Sequence, residues 1–483
     1  MAADFLRSHG IDLDAEMAEI QDELETTGDP QAAETDHLQR EKTFSGFRNV
    51  CLPHTAANSR WDVSTAGGSI TGIAQHDPQA TSEIPQAEGK GALLAPSLCH
   101  PHVHIDKAFL LLHPKYAHLQ IEKGDFEEAM NLTGTAKKDF EEWDLLERGQ
   151  RLVDESVQAG VTHMRAFVEV DAIVGMKSLD AGIKLKKKAE QEGRCVVQLC
   201  AFAQLPLFTS TDGDRDGETI RELMEEAANR PEVDVVGSTP YVEADRRKME
   251  QNIEWMIDLS IESGTHLDFH LDYHLDPEVE PMVWYVLQLL HEKDWNGETK
   301  DKAVVLGHCT RLTLFTEEEW KKLKKEVGEL PVSFVGLPTS DLFMMRTPDR
   351  TRGTLDVPML IKQYGLNACI GINNIGNAFT PYGSCDPLTL ACNGVGIYQA
   401  GTKADAELLY ECVSSRARQA IGLSPSEDAS SGGRLQTKVK DEASFVMFGS
   451  EQGEWRTRRS ISEVVYLYDH IRNRSTYLKG QRT

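Results

Sequence analysis

Between about Ala95 and Leu423 the chain alternates two hydrophobic patterns. Brief apolar runs of strand length are each followed by a longer stretch whose apolar residues recur at helical spacing, and that recurrence predicts parallel βα units. Eight runs have the strand character: ALLAPSLCHPHVHID, VTHMRAFVEV, CVVQLCAF, VDVVGSTP, THLDFHLD, AVVLGHCT, VSFVGLP and ACIGIN. Eight such strands in one continuous region fit a closed (β/α)8 barrel of the TIM type better than an open sheet.

The flanks follow a different pattern. From Phe47 to Leu94 the runs are short, β-prone and broken by Gly and Pro, as in FRNVCLP and GSITGIAQHD. After the barrel region, SPSEDASSGGRLQ predicts a loop over 424–436, and ASFVMFG and SEVVYLYDHIRNRSTYLKG read as returning strands. The expectation is an α/β chain with a barrel over 95–423 and a small discontinuous β-sandwich domain drawn from both flanks, 46–94 and 437–483. Residues 1–45 form an acidic extension. Leu13, Met17, Ile20 and Leu24 fall at helical spacing behind Asp12 or Asp14 as cap. This predicts a short helix packed on the body of the protein or on a second copy of the chain, so a homo-oligomer is among the expectations.

Composition narrows the partners. A chain of 483 residues has material for a large domain and a smaller one. With 77 acidic against 51 basic residues the formal charge is −26, which repels nucleic acid and anionic membranes and leaves a small molecule as the expected partner. No apolar run is long enough to span a bilayer, and the acidic start lacks the apolar centre of a secretory signal. Nine cysteines without CxxC spacing fit reduced thiols and a cytoplasmic location.

The candidate chemistry lies at strand ends. His102, His104 and Asp106 in LCHPHVHIDK share one face of a strand through its period of two. An HxH pair alone says little in a chain with 16 histidines. Its place at the end of the first barrel strand, where side chains reach the catalytic mouth, gives it weight. In THLDFHLDYHLDP, His266, Asp268, His270, Asp272 and His274 alternate with apolar residues, which is costly in a core unless these groups are paired or bound to metal. His308 ends a further buried run, AVVLGHCT. Histidines converging from separate strand ends suit zinc or iron with nitrogen-rich ligation.

Taken in order, LLAPSLCHPHVHIDKAF, VTHMRAFVEVD, LCAFAQLPLF, VDVVGSTPYVEADR, LDFHLDYHLDP, VVLGHCT and GINNIGNAFTPYGSCDPL resemble the successive strand-end motifs of the cytosine deaminase-like amidohydrolases. The likeness runs from about Phe47 to the C-terminus. It implies one divalent metal ion, Zn or Fe, on His102, His104 and His270, with His308 polarising the substrate. It also implies that Gln204 contacts the amide-like edge of the substrate and that Phe379 stacks on its ring. Two positions depart from the family. Tyr273 replaces a proton-shuttling carboxylate, and Asn373 replaces a metal-binding aspartate that acts as base. An amide oxygen can still ligate a metal but is no general base. The expected substitutes are Asp272 and His274, which share the parity of His270, and Tyr273 if its phenol is made more acidic. His274 is also a candidate substrate contact, and Asp106 and Glu169 are further acids that either handle protons or orient a histidine.

The implied reaction is metal-assisted hydrolysis of a C–N bond, other than a linear peptide bond, in a small cyclic amide, amidine or aminoheterocycle. Two alternatives stand beside it. One is an amidohydrolase-fold binding protein that has lost hydrolysis, since two proton-handling positions are replaced together; the other is a lyase or isomerase on the same scaffold.

Overall fold

The computed structural model describes residues 45–80, 85–211, 213–300, 302–423, 434–449, 454–469 and 474–483. The expected N-terminal helix and most of the 424–436 loop lie outside the described residues. Strands β1 (Gly46–Val50), β2 (Trp61–Ala66), β3 (Ser69–Gln75) and β4 (Ala87–Glu88) form a sheet in the order β3-β2-β1-β4. β5 (Leu93–Pro96) belongs to a different sheet, described below with the strands that return at the other end of the chain.

The barrel follows in chain order. β6 (Leu98–His104), β7 (Val161–Glu169), β8 (Val196–Ala203), β9 (Val233–Ser238), β10 (His266–Leu271), β11 (Val304–His308), β12 (Val332–Gly336) and β13 (Ala368–Ile370) lie side by side, each parallel to the next. The sheet closes just past β13. The Asn373 N–H donates to the His102 carbonyl at 3.1 Å, and the His104 N–H donates to the Asn373 carbonyl at 2.8 Å. Every residue of β6, β7, β11 and β12 is buried, as expected of parallel strands covered by side chains within and helices without.

All eight expected runs supply these strands, but the first does not form one strand. It divides at Ser97, where the chain changes partners: the Ser97 N–H bonds the Ser444 carbonyl and the Leu98 N–H bonds the Gly160 carbonyl. The helix Glu142–Ala159 shows how the outer layer is built. A capping box between Glu141 and Asp144 starts it, and Leu145, Leu152, Val153 and Val157 face inward. It stops at Gly160, whose φ of 110° favours glycine. A Cβ there would lie 2.6 Å from the Val446 side chain, so the same glycine lets the helix end against the small domain.

That domain is a sandwich. β5, β14 (Phe445–Phe448), β15 (Ser475–Leu478) and β16 (Gln481–Arg482) form the second sheet, in the order β16-β15-β14-β5. Its core joins Phe47, Val63 and Ile70 of the first sheet to Leu94, Phe445 and Tyr477 of the second. Phe47 meets Phe445 and Tyr477 edge-on at centroid distances of 5.4 and 4.8 Å. One expected strand is instead a helix, Ile461–Tyr466 in SEVVYLY. Ser460 accepts the Glu463 N–H, the Glu463 carboxylate accepts the Arg459 N–H, and Ile461, Val464 and Val465 are buried at helical spacing. These local caps outweigh the β preference of the valines. Among the described residues no helix is long and apolar enough to cross a membrane.

Inside the barrel, two residues before His270 on the same strand, Asp268 neutralises Arg165. Nη1 of Arg165 lies 2.7 Å from Asp268 Oδ2, Nε donates to Gln198 Oε1 at 2.7 Å, and Nη2 donates to the Ile421 carbonyl at 3.2 Å. Both charged groups are fully buried. Replacing Asp268 by alanine leaves the guanidinium without its counter-charge in a dry interior, at a cost of about 3–5 kcal/mol. The Asp268→Ala protein is therefore expected to unfold at a clearly lower temperature in a calorimetric scan; an unchanged Tm would show that the pair is not holding the barrel interior together.

Candidate metal and active site

β6 carries His102 and His104, and β10 carries His270, all pointing into the mouth of the barrel. Nε2 of His102 lies 2.7 Å from Nε2 of His270, and the three histidines place ligand nitrogens within 4.8 Å of one another. The surroundings are apolar: the Phe167 ring lies 4.2 Å from that of His102, and the Phe202 ring 4.2 Å from that of His270. Burial holds all three imidazoles well below their usual pKa, so they are neutral. Nδ1 of His102, Nδ1 of His104 and Oδ1 of Asn373 are buried without a hydrogen-bond partner. The other side of the Asn373 amide is occupied, its Nδ2 donating to Ser340 Oγ at 2.9 Å. Orphaned polar atoms are costly in such a place. Neutral imidazoles beside a free amide oxygen are a donor set that fits a divalent cation.

β11 makes the space and adds the next group. A Cβ on Gly307 would sit 3.2 Å from Cε1 and 3.3 Å from Nδ1 of His102, tighter than ordinary packing. The chain then turns through His308 and Cys309 at φ values of 66° and 48°, which non-glycine residues rarely adopt. His308 Nδ1 lies 2.8 Å from Oδ1 of Asp341. Asp341 is fully buried, and its Oδ2 accepts from Thr354 Oγ1 at 2.8 Å and from the Leu337 N–H at 3.3 Å. A carboxylate so placed selects the Nδ1–H tautomer of His308 and leaves Nε2 as the free nitrogen.

Tyr273 lies against His308, with ring centroids 3.8 Å apart and planes at 32°, and its hydroxyl donates to the Ser340 carbonyl at 3.3 Å. Burial pushes its phenol well above the usual range, opposite to the shift that proton transfer would need. The parity expected for Asp272 and His274 fails because β10 ends at Leu271 and Asp272 turns at a φ of 50°. The Asp272 oxygens accept the Met282 and Val283 N–H groups at 2.7 and 3.1 Å. It thereby caps the helix Val283–Glu292, and burial raises its pKa to about 6. His274 stands on the wall of a larger outer cavity, where its Nδ1 accepts the Asp276 N–H at 3.3 Å.

Gln204 and Phe379 line the same small space as His104, His270, His308 and Asn373. So does Lys107, which the sequence reading passed over. Its Nζ lies 2.5 Å from Glu169 Oε1 and 3.4 Å from Gln204 Oε1, and 4.7 Å from the centre of the Phe379 ring. Glu169 also pairs with Lys137, which reaches Asp171 at 2.7 Å. Burial alone would raise the Glu169 pKa, but the two ammonium groups outweigh it and hold the carboxyl down. Asp106 accepts the Glu169 N–H at 2.8 Å and so braces that network. Burial, then the charge of Glu169, raises its pKa. The signal for Lys107 was its position directly after HVHID, at the end of a fully buried strand. Asp341 had a weaker one, a lone acid in the otherwise uncharged run LPTSDLFMM.

Because Gly307 makes room for the His102 ring, Gly307→Ala is expected to displace it while leaving the barrel folded. The variant should lose most of the Tm increase that zinc or iron(II) gives the parent chain. An undiminished metal-dependent shift would show that His102 has space to spare.

No family model matches the chain. Among curated proteins it is 21% identical over 414 residues to the N-isopropylammelide isopropyl amidohydrolase of Pseudomonas sp. (strain ADP), spanning 85% of this chain and 92% of that one. Among solved structures, the 5-methylcytosine deaminase of Klebsiella pneumoniae superposes with a TM-score of 0.73 at 19% identity, over 90% of this chain and 96% of that chain. A mutant atrazine chlorohydrolase from Arthrobacter aurescens complexed with zinc superposes with a TM-score of 0.60 at 13% identity, over 91% and 94%. The barrel with its flanking sheets is the fold of these enzymes, and the resemblance to the amidohydrolase superfamily read from the strand-end motifs stands.

Proposed function

We propose that the protein is a metal-dependent hydrolase of a C–N bond in a small cyclic amide, amidine or aminoheterocycle. The observation that carries this reading is the convergence of three buried, neutral histidines within 4.8 Å, with His308 and its Asp341 partner beside them. The names of the similar proteins support it: one is an amidohydrolase, one a deaminase, and one was solved with zinc. His102, His104 and His270, with the amide oxygen of Asn373, would hold one zinc or iron(II) ion. Bound there, the ion would supply the Lewis acidity that activates water and polarises the carbon under attack.

The remaining work falls to this chain's own groups. His308, tied through Nδ1 to Asp341, accepts a proton from the attacking water on Nε2 and returns it to the departing nitrogen, a role that needs a neutral imidazole with a fixed tautomer. Lys107 and Gln204 orient an oxygen-bearing edge of the ring, and Phe379 gives the ring a face to stack on. Tyr273 walls the site and excludes water; its phenol keeps its proton near neutral pH. A cytoplasmic location belongs to the same reading, since all nine cysteines are free thiols.

The direct experiment is metal analysis of the purified protein together with turnover on a panel of lactams and aminoheterocycles. His102→Ala is expected to abolish metal binding, whereas His308→Ala keeps the metal and loses turnover. Asp341→Asn should lower kcat by roughly 10- to 100-fold with the metal retained. A protein that takes up neither zinc nor iron in stoichiometric amount, or that turns over equally well without His308, refutes the assignment.

A second set of variants asks whether the two departures from the family decide substrate choice. Tyr273→Glu combined with Asn373→Asp is expected to raise activity on cytosine by orders of magnitude, because it returns a proton shuttle and a base to the metal. Efficient cytosine turnover by the unaltered chain would show that neither position limits deamination.

A further inference from the structure

Beside the histidines the free space is about 10 Å³, room for about one water. Directly outside it lies a chamber of about 590 Å³, within the usual size of a site for an organic ligand. The two spaces share three walls, Phe126, Tyr241 and Tyr273. The centroids of these rings are 5.8 to 6.2 Å apart, pair by pair, so they form an aromatic collar between chamber and histidines. Beyond the collar the lining is apolar and pliable: Leu271, Val279 and three methionines, Met249, Met282 and Met345. Unbranched thioethers adjust to different shapes at little cost. The charged groups at its edge satisfy one another, Arg246 lying 3.1 Å from Glu280 and 2.9 Å from Glu250. His274 contributes a neutral edge, its imidazole held below the usual pKa by burial.

We propose that this chamber is the binding site for an apolar alkyl or aryl substituent carried by the cyclic substrate, so that the natural substrate is a substituted ring rather than a bare one. The inference rests on the hydrolase reading for the word substrate, but the binding preference itself requires no turnover. Its physical content is simple. A substituent that passes the collar leaves water for an apolar wall and gains roughly four-fold in affinity per buried methylene. A bare ring reaches only the Phe379, Gln204 and Lys107 contacts and leaves the chamber unused. The collar also accounts for Tyr273. A carboxylate there would put a charge on the path between chamber and metal, whereas a neutral ring continues the apolar lining.

The test uses the full chain loaded with zinc and three probes: cytosine, and its butyl and benzyl derivatives on the exocyclic nitrogen. Affinity is measured by calorimetry and amine release is assayed separately. The substituted probes are expected to bind on the order of 10-fold more tightly than cytosine or better. Val279→Trp and Met249→Trp, which fill the chamber from partly exposed positions away from the histidines, should remove that advantage and leave cytosine affinity unchanged. If the advantage appears but none of the three is hydrolysed, on this and the broader panel, the hydrolase reading fails and the chamber assignment holds. Equal affinity for all three probes, binding of none, or an advantage that survives both tryptophans overturns the chamber assignment.

Discussion

Burying a polar nitrogen without a partner is expensive, and the mouth of this barrel collects several such atoms in one place. A single proton can satisfy the close pair of Nε2 atoms on His102 and His270, 2.7 Å apart. It cannot also serve Nδ1 of His104 or the free oxygen of Asn373. The phenylalanines around them exclude the water that would otherwise solvate these atoms, and Gly307 withholds the side chain that would crowd them. The fold thus spends stability at one point, and a cation is the simplest agent that restores it. Around that point the strands end in left-handed residues, Asp272, His308 and Asn373, the kind of local strain that accompanies functional sites.

Proton handling lies one residue further from the metal position than in the family this chain resembles. Tyr273 and Asn373 carry no charge near neutral pH, and the acid that serves the site, Asp341, stands behind His308 rather than beside the metal ligands. The other buried charges close among themselves. Lys137 and Asp171 balance one side of Glu169, Lys107 balances the other, and Arg165 with Asp268 is self-contained. Of these, only Lys107 faces the space beside the histidines. An electron-rich edge of a ligand therefore meets one fixed cation there, which orients it without needing a charge of its own.

The barrel was legible in the sequence because fully buried parallel strands leave an unmistakable trace, short apolar runs at regular intervals, and because histidines at their ends stand out against that background. His102, His104 and His270 could be singled out for that reason. What could not be read was the point at which a strand stops. Asp272 and His274 continue the alternation of β10 on paper, yet the chain turns at Asp272 to cap the next helix. Nothing in a period of two announces that turn. Partners distant in sequence were equally silent: Lys107 meets Glu169 and His308 meets Asp341 only once the barrel is closed. In SEVVYLY the β-branched residues concealed a helix, because the cap at Ser460 and the helical spacing of the buried positions outweighed residue preference.

The seam that closes the barrel runs through the backbone of Asn373, which bonds to both ends of the HxH segment, and the φ there is 60°. In that conformation the residues tolerated without much strain are few, chiefly glycine, asparagine and aspartate. The hydrogen bonds of the seam are indifferent to which of them is present. Position 373 therefore works as a restricted switch: evolution can exchange a base for a neutral ligand, or remove both, by one substitution that leaves the architecture untouched. The geometry that holds the scaffold constant also confines chemical drift at this position to a short set of alternatives, which is how one barrel can host reactions that handle their protons differently.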